Sequence, residues 1–217
     1  LNAALPEGAL ELWRFTARES ALVHVPPDGC RDLIVVAARG GAPVGLVSPL
    51  ADAPEVHAFA AGDRAAGVRL RPGVRVDERA LAALLRGGER QDDADLLLAA
   101  AAAARVDARV AEALDCLREA PPLPLAQSRL GVSARSLERL LAGHTRRGPL
   151  WWRNLARARR CARALAGATP LAALAADHGY ADQAHMTRDL RRWFGHAPGA
   201  LRAQPGLLAA IASSGHG

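Results

Sequence analysis

The sequence contains no lysine, so all 28 of its basic residues are arginines, a usage that fits the coding bias of a GC-rich genome better than a special surface. Cysteine is scarce as well. Cys30, Cys116 and Cys161 stand 86 and 45 residues apart, which excludes zinc-knuckle spacing and a paired disulfide framework and points to a reducing compartment. Aromatic residues make up only 4% of the chain, too few for the exposed stacking surfaces that RNA modules display. No apolar run reaches the roughly 18 to 20 residues needed to cross a bilayer, and the first ten residues lack a basic n-region. The expectation is a soluble, cytoplasmic protein with no membrane partner. What is present suffices for packed cores, since 50% of the residues are hydrophobic and 23% charged. At about 100 to 150 residues per compact unit, a chain of 217 holds one large or two small domains.

The charge is unevenly spread. Residues 1–120 carry 14 arginines and 18 acids, a net −4, whereas residues 121–204 carry 14 arginines against only Glu138, Asp177, Asp182 and Asp189, a net +10. A mildly acidic half joined to a strongly basic one implies that the second half meets a polyanion, with nucleic acid the leading candidate. A solvated basic helical surface would look the same by charge alone.

Short apolar runs at 10–15, 21–25, 32–36, 44–47, 55–59 and 67–70 are separated by turn signals such as Pro26-Pro27-Asp28-Gly29 and Arg39-Gly40-Gly41, which predicts an antiparallel sheet or small barrel. From Asp77 the period becomes helical, with Leu81, Leu84 and Leu85 in one helix, residues 96–98 in a second and Val106, Val110, Leu114 and Leu117 in a third. The alanine run at 99–104 has little side chain to bury, so it suits either a close helix contact, a dimer contact among them, or a plain helix surface. Pro121, Pro122 and Pro124 then mark a boundary. The fold class expected is α+β, a β-rich domain with trailing helices over 1–120, an all-α basic domain over 121–204 and a tail over 205–217.

The basic half repeats a unit. Leu130-Gly131-Val132-Ser133 followed by Leu137, Leu140 and Leu141 is echoed by His178-Gly179-Tyr180-Ala181-Asp182 followed by Met186, Leu190, Trp193 and Phe194. Each copy has a helix ending in glycine, a capping Ser or Asp, and a new amphipathic helix, the grammar of a helix-turn-helix. In the second copy Thr169 is expected to cap a helix over 170–178 with Pro170 at its first position. In the helix after Asp182, spacing turns Ala184, Arg188, Arg191 and Arg192 outward, with Thr187 at the flank and Gln183 in the first turn. That suits major-groove reading, because arginine donates two hydrogen bonds to guanine and glutamine pairs with adenine. In the first copy Arg135 and Arg139 project together at i and i+4. Between the copies, Gly148-Pro149 starts a long helix whose Leu150, Trp151, Leu155, Ala158, Ala162 and Leu165 are expected to pack on both units, with Arg157 and Arg160 reaching DNA phosphates.

Residues 123–202 resemble the DNA-binding domain of AraC/XylS-type transcription regulators. The stretch carrying most of the resemblance runs from Leu171 through His178-Gly179-Tyr180-Ala181-Asp182-Gln183 to Trp193-Phe194-Gly195-His196-Ala197-Pro198, and it follows the family's pattern of helix, Gly-aromatic turn, recognition helix and Gly-x-x-Pro ending. Ser133 to Leu141 resembles the first recognition helix, with Leu141 in place of the usual aromatic and His144-Thr145-Arg146-Arg147 altering the junction that follows. The resemblance implies double-stranded DNA as partner, RNA polymerase as a second if the protein activates, and a β-rich sensory domain. A small-molecule effector and a second copy of the chain are open as partners, and no ligand-binding residue is readable.

An enzyme would draw on His24, Asp28, Cys30, Asp32 and His57, yet these show no His-x-His cluster or short ligand spacing. No catalytic residue, metal ligand or cofactor is expected. The competing reading is a non-catalytic protein-interaction module whose basic half is vestigial or binds RNA.

Overall fold

A computed structural model describes residues 5–77, 93–213 and 215–217 of the chain. Among the described residues, six strands form where branched residues alternate with polar or smaller ones: β1 (Ala9–Thr16), β2 (Ala21–Val25), β3 (Asp32–Ala37), β4 (Val44–Val47), β5 (Glu55–Phe59) and β6 (Arg64–Leu70). In β3, Leu33, Val35 and Ala37 are buried while Asp32, Ile34 and Val36 are half-buried, the two-residue period of a pleated strand. Strands β1, β6, β3 and β4 make one antiparallel sheet in that order, and β2 pairs with β5. The register aligns Leu12, Val68, Leu33 and Val47 in one row. On the other face Trp13 lies opposite Gly67, where a Cβ would stand 2.4 Å from the indole ring, so a residue without a side chain is required. The indole N–H donates to Asp32 Oδ1 at 2.8 Å.

Helix α1 (Asp93–Ala102) covers this sheet. Leu97, Ala100 and Ala101 fall at spacings of three and four on one face and, with Ala104 just past the helix end, share a core with Leu33, Val35, Val68 and Leu70. The inward members of the alanine run are thus packed on the sheet, an arrangement that neither of the two sequence readings of that run included. The helix expected around Leu81, Leu84 and Leu85 lies outside the described residues.

Two compact units divide the chain. The first comprises Leu1–Val23, Cys30–Leu50 and His57–Asp107, and the second His24–Gly29, Ala51–Val56 and Ala108–Gly217. The second unit is helical: α2 (Ala108–Arg118), α3 (Leu123–Leu130), α4 (Ala134–Thr145), α5 (Pro149–Ala164), α6 (Leu171–Asp177), α7 (Gln183–Phe194), α8 (Pro198–Arg202) and α9 (Pro205–Ala212). Helix α2, which the proline boundary grouped with the first half, packs on α3, α4 and α5 through Val110, Ala113, Leu114 and Leu117. The center of the unit is α5. Its Leu155, Ala158, Cys161 and Ala162, with Leu165, meet Leu174, Ala175, Met186, Leu190, Trp193 and Phe194 in one core.

Three local expectations need correction. Pro170 has ψ 142 and occupies the cap position, so α6 starts at Leu171 and no side chain caps it. Leu150 is 55% exposed and Trp152 takes the buried place in the first turn of α5. Residues 205–217 are more than a tail, because Leu208 and Ile211 of α9 close on α5 and His216 is buried edge-on against Trp152. Among the described residues, no helix is long and apolar enough to cross a membrane.

Candidate nucleic-acid interface

Each helix-turn-helix is built by the same backbone bonds. In the first unit Gly131 takes φ 62, its N–H donates to Ser128 O at 3.3 Å and that of Val132 to Gln127 O at 3.1 Å. In the second, Gly179 takes φ 69, its N–H donates to Ala176 O at 3.0 Å and that of Tyr180 to Ala175 O at 2.9 Å. Positive φ favours glycine at both points. The turns differ in length: only Val132 separates Gly131 from its cap Ser133, whereas Tyr180 and Ala181 separate Gly179 from its cap Asp182.

The caps fix where α4 and α7 begin. Ser133 Oγ accepts from Ser136 N at 3.1 Å, and Asp182 Oδ1 accepts from His185 N at 2.6 Å. Caps of this kind contribute about 1 kcal/mol, against roughly 1.5 to 3 kcal/mol for each large apolar side chain fully buried. Packing of Met186, Leu190, Trp193 and Phe194 therefore holds α7 in place, and the cap sets its first residue.

The opposite face of α7 is open. Gln183, Ala184, Arg188, Arg191 and Arg192 are exposed. Thr187 is half-buried and its hydroxyl donates to Gln183 O at 2.8 Å, and Arg192 lies over the Trp193 ring at 5.2 Å. On α4, Arg135 and Arg139 are exposed while Leu137 and Leu141 are buried. The altered junction after α4 is well bonded: Thr145 Oγ1 donates to Leu141 O at 2.8 Å and accepts from the Trp152 indole at 3.1 Å. Beside α4, a cavity of about 510 Å³ is walled by α2 and by Leu130, Val132, Leu140 and Arg139.

The central helix departs from expectation. Arg157 is buried, with Nη2 2.8 Å from Asp189 Oδ2 and its guanidinium 4.3 Å from the Tyr180 ring center, so it is a core cation and does not face DNA. Arg160 is part-exposed, but it bonds the Glu119 carbonyl and lies 3.5 Å from that residue's carboxylate, which ties it to the segment after α2. Arg159 is fully buried and donates to Ser213 O at 2.8 Å, Arg153 donates to Pro121 O at 2.6 Å, and Arg163 bonds Gly217 O. Much of the positive charge counted on α5 is spent on internal acceptors.

Two features escaped the sequence reading. Arg129 in the last turn of α3 and Arg146, the left-handed residue that ends α4, are exposed beside α4, and their places at helix ends were sufficient signal. The other is Asp189, which lies on the core face of α7, three residues after Met186 and four before Trp193, and binds both Arg157 and the Tyr180 hydroxyl at 3.0 Å. Burial, with the Asp189 carboxylate next in weight, holds the Tyr180 phenol far above its usual range. The same two causes push the Cys161 thiol up to about 12, which keeps it protonated. The residues weighed for catalysis lie apart in role: Asp32 accepts from Trp13, Cys30 is buried, His24 and His57 are exposed, and Asp28 O accepts from His216 N at 2.7 Å.

Two capped helix-turn-helix units on a shared central helix define the class, a DNA-binding transcription regulator. Residues 125–204 match a family described as a helix-turn-helix domain. They form a helix-turn-helix domain of the AraC type. No curated protein matches the chain. Among solved structures, an apo form of a ToxT variant from Vibrio cholerae strain SCE256 is similar at 8% identity and a TM-score of 0.45, over 92% of this chain and 98% of that one. ToxT from Vibrio cholerae O395 is similar at 8% identity and a TM-score of 0.45, over 94% and 97%.

Proposed function

We propose that this regulator reads a specific duplex site through α7, with α4 as a second reader in an adjacent major groove, about one helical turn or 34 Å along the DNA. The observation that carries this is the division of α7 into a wholly buried side and a face offering Gln183, Ala184 and Arg188 from its capped first turns. Arg188 and Gln183 are the base readers, Ala184 and Thr187 leave room for close approach, and Arg191 and Arg192 hold the backbone. Arg135 and Arg139 serve α4, with Arg129 and Arg146 as phosphate contacts in place of Arg157 and Arg160. The RNA-binding reading finds no support in the aromatics of α5 and α7, since Trp152 and Trp193 are buried and the Trp151 indole bonds Asp52.

Footprinting on the DNA upstream of the gene and its neighbours tests the reading, together with titration over a salt series. Arg188→Ala is expected to cost roughly 1 to 3 kcal/mol of specific affinity and relax one base position, while Arg191→Ala weakens all sequences alike and flattens the salt slope. Absence of any protected site, or equal loss on all sequences for Arg188→Ala, overturns it. In the same reading, the β-rich first unit serves as a sensor or assembly domain without turnover. A small-molecule effector or a second copy of the chain would act there, and RNA polymerase would be met in activation. An effector works only by binding two states with different affinity, which thermal stabilisation against a metabolite panel and sedimentation over a concentration series detect.

A further inference from the structure

The apolar contacts of α7 are non-directional. Met186, Leu190, Trp193 and Phe194 hold the helix in the core, but packing contacts set its rotation about the axis less sharply than a directional bond does. Base reading does not tolerate it, because recognition groups must be held within about 0.5 Å and 10–20° of their working geometry. Something directional must set the roll of α7. On its buried side the polar anchor is Asp189, next in sequence to the base reader Arg188, and it is held from two directions: by Arg157 of α5 at 2.8 Å and by the hydroxyl of Tyr180, in the turn before the helix, at 3.0 Å. Arg157 in turn lies on the Tyr180 ring at 4.3 Å, so the three side chains close on one another. A carboxylate on the inner face of an otherwise apolar seat, tied to two separate elements, sharpens an angle that packing sets only broadly.

We propose that Asp189 is a positioning residue that determines base specificity: with Arg157 and Tyr180 it fixes the rotation of α7, and hence where Gln183 and Arg188 meet the bases. This rests on the reading of α7 as the base-reading helix. Replacing a buried ion pair by apolar residues of similar volume leaves many proteins equally stable or more so, and that separates positioning from simple support. The full chain carrying Arg157→Met, Tyr180→Phe and Asp189→Leu together is expected to stay folded, while its preference for the selected site over random duplex DNA falls about tenfold to a hundredfold and its salt slope stays unchanged. Asp189→Asn, which keeps the shape and loses the charge, is expected to fall in between. A DNA-free readout accompanies these. Amide exchange over residues 183–194 rises in Asp189→Asn, while residues 134–145 of α4 exchange as before. A folded triple variant with undiminished discrimination, or unchanged exchange across α7, overturns the proposal. Failure of the unaltered protein to discriminate any DNA site overturns instead the reading of α7, and the exchange comparison still decides whether Asp189 holds the helix.

Discussion

His216 ties the stability of the second unit to pH. Its ring is fully buried, edge-on to Trp152 with centroids 4.9 Å apart. Burial first, then the nearby Arg118 and Arg159 cations, push its pKa from 6.5 to about 3. The neutral ring is therefore the folded form. Below about pH 6.5 the unfolded chain takes up a proton that the folded chain refuses, so stability falls as pH drops and the loss levels off near pH 3. Such a displacement is worth on the order of 5 kcal/mol at its limit. Urea unfolding between pH 7 and pH 4 should show this slope in the unaltered protein and a shallower one in His216→Phe. Equal slopes would mean that the ring is solvated.

The turn elements carry a second expectation. Asp182→Ala removes the acceptor for His185 N and should cost about 1 kcal/mol, fraying the turn that presents Gln183 and Ala184. Gly179→Ala meets no atom within 4 Å, so its cost is backbone strain at φ +69, roughly 1 kcal/mol. Thermal melts of the two variants should thus agree closely, while DNA affinity drops only for Asp182→Ala. These elements were legible in the sequence because their causes are local: a capping residue, a glycine, and apolar spacings of three and four. Strand positions were legible for the same reason. The fate of Arg157 was not, since its partner Asp189 lies 32 residues away and an arginine on a helix reads as solvent-facing until that carboxylate is placed beside it. The final residues read as a tail because a short apolar helix has no meaning until α5 offers it a surface.

For the whole molecule, the second unit is larger than the matched helix-turn-helix region. It includes α2 and the segments His24–Gly29 and Ala51–Val56. Asp52 accepts from the Trp151 indole at 2.6 Å and pairs with Arg147 at 2.5 Å, and Arg159 donates to Pro27 O at 3.4 Å. A fragment of residues 121–217 loses these bonds and the buried Val110, Leu114 and Leu117. At roughly 1.5 to 3 kcal/mol for each of the latter, against a typical total of 5 to 15 kcal/mol, the fragment should melt far below the full chain and bind DNA poorly. A fragment beginning at residue 108 should recover part of the difference, and differential scanning calorimetry of the three proteins measures it.

That discontinuity also sets a timetable for folding in the cell. Pro27 and Arg159 are 132 residues apart in the chain, and Asp52 and Trp151 are 99 apart. At about 5 to 20 residues per second, translation leaves the segment around Pro27 waiting roughly 7 to 26 s before α5 exists to receive it. Over that interval the nascent chain holds two stretches whose partners have not been made, and completion of the DNA reader depends on closing the longest loops last.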